Sequence, residues 1–539
     1  MTSPSHDDAP PSSSRALEEK NLGRQEPGRV WRRLFGNLML FFGVVGGAIG
    51  LLFVTSELEL AHLSIDNPSL QQSFHQALGS LAEVMAALLG LSLTVVAIVV
   101  QLASARYPAK IVDLFMTDPI NISIFGLMTS SCIYVILAPA LVTPEMPLML
   151  SAVGLFLSVL NLGLLLPYFG HVFAFLEPNN IITQIRTRAF NALNKMRRKQ
   201  RFSQDEIRHA QSQVAIALES IADNSMAAID QSDRNLAMHT IYTLESFLER
   251  YIPMKKELPK ESWGEVPPHY LSTLAKEFLD DIFANTTWVE AKVLMEYERV
   301  FRKSLGEMNE LVSQIASSTR GIGEVAIAQQ DWEVRGLVVQ FFNTYIRHAL
   351  NARNVRAAYN ILYEYRHFAS HLLRTNPAAC IRVVKHLVYY GRTANAMNLP
   401  FVTVTVAHDV RVLCEEAFDH EAFDMSEILR LFLTLDQPSE DDGGEVALLG
   451  VRRAQSILGA FFLHRDALAL AEQIRFDMRD EPPGRLRKIR DDILTVDERK
   501  FWEVTDRGFN FDWVPGEMRH HITSFFAPML QEEHEDVSF

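Results

Sequence analysis

Four runs without a single Lys, Arg, Asp or Glu crowd into the first third of the chain: Leu34–Ser56, Val84–Ala105, Pro119–Pro144 and Met146–Leu176. None shows the polar stripe of a surface helix; each is apolar all round. A bilayer core of about 30 Å needs about 20 helical residues at roughly 1.5 Å each, and every run reaches that length. Four buried helices of that kind within so short a stretch would be hard to house in a soluble core. The pattern therefore predicts transmembrane helices at about 34–56, 83–105, 119–142 and 147–170.

From residue 205 the pattern changes to helical periodicity. Ile241, Leu244, Leu248 and Tyr251 form one stripe, and Leu271, Leu274, Ala275, Phe278 and Ile282 another. "FVTVTVAHDV" alternates briefly but runs on into "RVLCEEAF", and is read as a helix after Pro400. Breaks are expected at 251–270, at "STRGIGE" (318–324) and at the acidic loop "DQPSEDDGGE" (436–445). Helix pairs such as 332–350 with 354–374 recur without a strict period, which suggests helical-hairpin stacking.

The fold class that follows is all-α, a four-helix transmembrane domain followed by a large cytoplasmic helical domain. Its expected divisions are a disordered polar tail (1–33), the membrane domain (34–177), a basic juxtamembrane segment (178–204), the helical domain (205–530) and an acidic tail (531–539).

Charge gives the topology. Arg15, Lys20, Arg24, Arg29, Arg32 and Arg33 precede the first run, whereas residues 55–77 contain no Lys or Arg. Arg106 and Lys110 follow the second run, and "PALVTPEMP" between the third and fourth has no basic residue. After the fourth come Arg186, Arg188, Lys195, Arg197, Arg198, Lys199 and Arg201, with no acid in 178–204. The basic flanks all fall on one side of a four-span arrangement, so both termini are expected in the cytoplasm of a cell whose inner membrane holds the protein. About 33 polar residues before the first run, and no small-residue cleavage site after it, favour an uncleaved anchor over a signal peptide.

The seven cations of 178–204 also fit a nucleic-acid patch. Residues 205–539, however, carry 36 Lys and Arg against 52 Asp and Glu, a net of −16 that would repel nucleic acid. Anionic lipid headgroups are the expected partner of the basic segment. A protein partner is expected for the helical domain.

"VVQLASARYPAKIVDLF" (99–115) is apolar, then basic and amphipathic. Arg106 and Lys110 share one helical face, Ile111, Leu114 and Phe115 another, and Pro108 can kink the chain as it leaves the bilayer. Arg106, Tyr107, Pro108, Lys110, Leu114 and Phe115 are thus expected to form a surface coupling segment whose apolar face is covered by lipid or by the cytoplasmic domain.

The wider stretch "TVVAIVVQLASARYPAKIVDLFMTDPINISIFG" (Thr94–Gly126) resembles the signature of a bacterial family of predicted membrane proteins, the domain of unknown function 2254. The matching positions are Thr94, Val95, Gln101 to Ser104, Tyr107, Pro108, Lys110, Phe115, Asp118 and Gly126. A weaker echo lies in Ile216–Tyr251, where "DRNLAM" replaces the family's Asn-Asp-Pro-Phe-Thr-Ala. The resemblance implies a four-span membrane protein and no particular activity.

The chemistry within the runs is sparse. Glu83 and His171 sit at their edges, with only Ser92, Thr94, Thr129, Ser130, Ser131, Ser158 and Asn161 as inner polar groups. Ion-coupled carriers usually need a carboxylate near midplane. "GVVGGAIG" places Gly43/Gly47 and Gly46/Gly50 at Gly-x-x-x-Gly spacing, which allows close helix approach within the chain or in a homo-oligomer. No phosphate-loop, dinucleotide, nucleophile-elbow or zincin motif occurs. Cys132, Cys380 and Cys414 are scattered, and the histidines of "MRHHITSFF" and "QEEHEDVSF" are read as solvated. The expectation is a non-enzymatic membrane protein without cofactor, bearing a sensor or scaffold domain, the alternative being an oligomeric channel gated by that domain.

Overall fold

In a computed structural model, the structure describes residues 68–106, 115, 118–141, 147–198, 203–271, 274–420, 425–436 and 445–531. Gly43, Gly46, Gly47, Gly50, Tyr107, Pro108, Lys110, Leu114, Lys199 and Arg201 lie outside the described residues, as do both expected tails and most of the acidic loop. The chain divides into two compact units, Met1–Ile181 and Ile182–Phe539. Among the described residues the regular elements are helical, with one isolated antiparallel bridge between Lys500 and Phe509.

The first unit packs three helices against one another: α1 (Pro68–Arg106), α2 (Pro119–Leu141) and α3 (Pro147–Leu176). Pro119 and Pro147 open their helices where a missing N–H costs nothing. Two stretches, Gly79–Ile98 and Gly154–Phe175, are long and apolar enough to cross a membrane, while the apolar part of α2, Ile120–Ile136, is shorter. Two of the four expected spans thus have counterparts among the described residues, and the expected first span, 34–56, lies outside them. Helix α1 also begins well before its apolar run, at Pro68, taking in residues expected to be loop.

α4 (Pro178–Arg198) follows, and from Ile182 onward its chain belongs to the second unit. There, helices α5 (Gln204–Asp230), α7 (Trp288–Ser304), α9 (Trp332–Asn351), α11 (Pro377–Ala396) and α13 (Met425–Phe432) lie side by side in one layer. The second layer is α6 (Arg234–Met254), α8 (Asn309–Ala328), α10 (Val355–Thr375), α12 (Pro400–Asp419) and α14 (Glu445–His464). α15 (Leu468–Asp477), α16 (Pro483–Leu494) and α17 (Arg519–Gln531) close the far end.

One turn recurs along this stack. Ser232, Thr286, Gln330, Arg353, Asn398 and Asp466 have φ between 51° and 57°. In each case the next amide reaches back five residues, as from Asp233 to Ala228 O at 2.8 Å and from Asn354 to Ala349 O at 2.9 Å. That closes the preceding helix with a left-handed residue. Asp233, Asp331 and Asn354 then cap the next helix by accepting from Leu236, Val334 and Ala357 amides. Left-handed residue and cap are adjacent, so each helix reverses within three residues and the hairpins stack.

Two sequence expectations need correction. The break at 318–324 is absent: α8 runs through it, because Gly321 and Gly323 serve close packing rather than a turn. A Cβ at Gly323 would lie 2.5 Å from Phe368 Cε2, and one at Gly321 2.5 Å from Glu245 Oε1. Conversely, the stripe 271–282 is not one helix. Leu271 ends a short 3₁₀ turn and helix resumes only at Lys276–Ala284. Gln211 Nε2 lies 3.1–3.2 Å from the carbonyls of Ser262, Trp263 and Glu265, tying this irregular connection to α5.

Candidate functional site

The first unit turns its apolar side chains outward. Thirteen large ones on α1–α3 are well exposed among the described residues, including Leu93 at 59%, Ile122 at 58% and Leu166 at 79%. Its polar groups turn inward: Ser92, Asn121, Ser131, Ser158 and Asn161 are buried. Ser131, Ser158 and Asn161 donate to carbonyls of their own helices at 2.7–2.8 Å. Ser92 Oγ and Asn161 Oδ1 have no partner among the described residues. Such an arrangement is that of a soluble protein reversed, and it suits a hydrocarbon surround.

At one end of this unit His171 Nε2 meets Asp118 Oδ2 at 3.2 Å, and Asp118 also accepts from the Asn121 amide at 3.2 Å. Asn121 Nδ2 donates to Phe115 O at 3.0 Å. Phe115 is 2% exposed, its ring edge-on to Phe175 with centroids 5.4 Å apart. Lipid or the cytoplasmic domain is expected to cover the apolar face of this segment; among the described residues Phe175 of α3 packs against Phe115. Arg106 ends α1.

On α4 the cations divide. Arg188, Lys195, Arg197 and Arg198 are exposed, with Arg197 Nε 3.6 Å from Glu257 Oε2. Arg186, itself part of the second unit, is half-buried on the side of α4 that faces α6. That side is apolar: Ile182, Ile185, Ala189, Phe190, Leu193 and Met196 are buried, and the Phe190 ring packs, tilted by 38°, on Phe247 of α6 with centroids 4.7 Å apart. The apolar periodicity of 178–196 was present in the sequence but overshadowed by its charge.

The densest buried polar cluster of the second unit lies where α10 and α12 meet the segment between α16 and α17. Asp409 is fully buried and pairs with Arg507 at 2.6 Å and Arg366 at 3.4 Å. His408 stacks on Phe511 at 4.1 Å, and Asp506 takes a bidentate bond from Arg356. Burial and the surrounding guanidinium groups keep His367 neutral, its pKa pushed down to about 3, and lower His408 as well. Burial likewise raises the Cys380 thiol to about 12 and raises Cys414. Thiols so held make poor nucleophiles at neutral pH. Phe509 and Phe511 are thus half-buried aromatic contacts beside a buried ion pair. An open cleft of about 1130 Å³ between α13, α15 and α17 mixes Glu427 and Glu472 with Arg430, Arg475 and Arg479.

Residues 34–233 match the family described as "Predicted membrane protein (DUF2254)". The match spans the first unit's helices, α4 and α5, and ends at Asp233, the cap of α6. No curated protein matches the chain. A solved structure described as "Circular tandem repeat protein with novel repeat topology and enhanced subunit contact surfaces" is 13% identical and covers 68% of this chain and 91% of its own, with a TM-score of 0.27. A score that low carries no fold assignment.

Proposed function

We propose that this chain, whose residues 34–233 carry the domain of that predicted membrane protein family, is a non-enzymatic multi-pass protein of a bacterial inner membrane. Its four spans, the first at 34–56, leave both termini in the cytoplasm and anchor a stacked-hairpin body that acts as a sensor or scaffold for a protein partner. The outward apolar surface of α1–α3 carries this reading. A large side chain such as Leu166 gains about 1.5–3 kcal/mol on leaving water, so thirteen of them favour a bilayer strongly. The second unit supports the scaffold role: its described polar clusters include ion pairs that hold helices together, such as Asp409 with Arg507 and Arg366.

A second reading, an oligomeric permeation pathway gated by the helical body, draws on Ser92 and Asn161. They lie 14 residues before Arg106 and 15 before Leu176, hence at similar depths of roughly 21 and 22 Å along their helices. Both keep an oxygen without a partner among the described residues.

Extraction and conductance separate the readings. The anchor reading expects the full chain to resist alkaline carbonate, to require detergent, and to show no conductance in planar bilayers. Release by carbonate alone would end both readings. A conductance altered by Asn161→Leu would replace the scaffold by the pathway.

A further inference from the structure

Helices α4 and α6 bring together two arginines, the half-buried Arg186 and the exposed Arg250, neither of them in an ion pair among the described residues. The Arg250 guanidinium lies 4.3 Å over the Phe190 ring, which faces it from α4. One turn before Phe190, Arg186 is half-buried against the same helix. Its pKa is lowered, first by burial and then by the neighbouring Arg250 charge, with Tyr242 acting in the opposite sense. His239 completes the group: its Nε2 is buried without a hydrogen-bond partner, and burial and Arg186 both disfavour its protonated form.

Neither Arg186 nor Arg250 forms an ion pair among the described residues, while Arg197 on the same helix and Lys255 on the same connection do. Glu245 of α6 is directed elsewhere, accepting from Ser318 Oγ of α8 at 2.7 Å. Like charges held close and partly out of water repel, and an anion between them would turn that repulsion into two charge-assisted hydrogen bonds. Guanidinium forks suit the oxygens of a phosphate.

We propose that Arg186 and Arg250, with Phe190, Tyr242 and His239 around them, bind the phosphate of an anionic phospholipid headgroup. Chain connectivity argues for lipid as the source. Arg186 lies only ten residues along the chain beyond Leu176, the end of α3. Phosphate held there links α4 to α6, so the site fastens the juxtamembrane helix to the first hairpin of the helical body. The inference rests on the membrane reading above. It differs from a diffuse basic belt in requiring Arg250, which lies outside the basic segment.

The test uses the full chain, delipidated in mild detergent and titrated with phosphatidylglycerol, phosphatidylcholine or inorganic phosphate, with bound lipid read by native mass spectrometry. Arg186→Gln and Arg250→Gln are each expected to weaken phosphatidylglycerol binding about tenfold. Arg188→Gln and Lys195→Gln, on the exposed face of α4, should change it by less than about twofold, and phosphatidylcholine should not distinguish the variants. Arg186→Lys, which keeps the charge and the packing stem, should recover most of the loss, so misfolding of the Gln variant would be recognised. Displacement of phosphatidylglycerol by millimolar inorganic phosphate, with the same variant dependence, would support the phosphate site and assign it to a soluble anion. Equal losses in all four Gln variants, or none in any, would overturn the site. A carbonate-extractable chain would mark failure of the membrane reading instead.

Discussion

Arg507 and Asp409, 98 residues apart in sequence, meet in a bidentate pair with Nη1 donating to Oδ1 at 2.6 Å and Nη2 to Oδ2 at 3.0 Å. Their side chains are 1% and 0% exposed. Arg507 also donates to Tyr359 O at 2.9 Å and lies 4.4 Å over the Tyr359 ring. The pair fastens the non-helical segment between α16 and α17 onto α10 and α12.

Breaking one half of such a pair strands a buried charge, at a cost of about 3–5 kcal/mol. Arg507→Met should therefore lower the unfolding midpoint and speed hydrogen exchange at Phe509 and Phe511 before the rest of the unit opens. Unchanged protection at those two amides would show that the aromatic packing alone holds the segment.

His367 sets a pH dependence. It lies among Arg366, Arg320 and Arg507, and its folded pKa of about 3 is far below the ordinary value near 6.5. Below pH 6.5 the unfolded chain binds a proton that the folded chain refuses, so stability falls as pH falls. The contribution is complete above about pH 6.5, is reduced by about 2 kcal/mol at pH 5, and keeps falling toward pH 3. His408, buried and also lowered, acts in the same sense. His367→Gln should flatten the fall in unfolding midpoint between pH 6.5 and 5; an equally steep fall would place the acid sensitivity elsewhere.

The glycines of α8 and α9 should respond in opposite ways to alanine. At Gly323 the added methyl meets Phe368 and Val338 Cγ1 at 2.5 and 3.0 Å, and overpacking of that kind costs about 1–3 kcal/mol. At the half-buried Gly336 nothing lies within 4 Å of the methyl, and alanine in a helix interior gains about 0.5–1 kcal/mol over glycine. Chemical denaturation of the two variants should move their midpoints apart. Movement in the same direction would contradict the packing assigned to Gly323.

These glycines also mark how far the sequence could be read. "STRGIGE" reads as a break because Gly is common in turns, and only the approach of Phe368 reveals its use inside a helix. Helical hairpins were legible, because apolar spacing near 3.6 is local; the pairs 332–350 and 354–374 correspond closely to α9 and α10. The turns between them were less so, since Gln330 and Arg353 take left-handed backbones that glycine usually supplies. Arg507 and Asp409 carry no local signal of their meeting. Phe115 was recognised as an apolar side chain needing cover, but which surface covers it depends on the return of α3. Arg186 was grouped with its charged neighbours, whereas helical phase puts it beside Phe190 on the side facing α6.

The central claim, a four-span anchor with both termini on one side, is most directly tested by the sidedness of two single cysteines in intact cells. Ser64→Cys lies between the first two expected spans, and Gln231→Cys is exposed at the end of α5. The native Cys132, Cys380 and Cys414 are buried and should stay silent. A membrane-impermeant maleimide added outside should label position 64 and reach position 231 only after the membrane is opened. Labelling of both positions from the same side would contradict the topology.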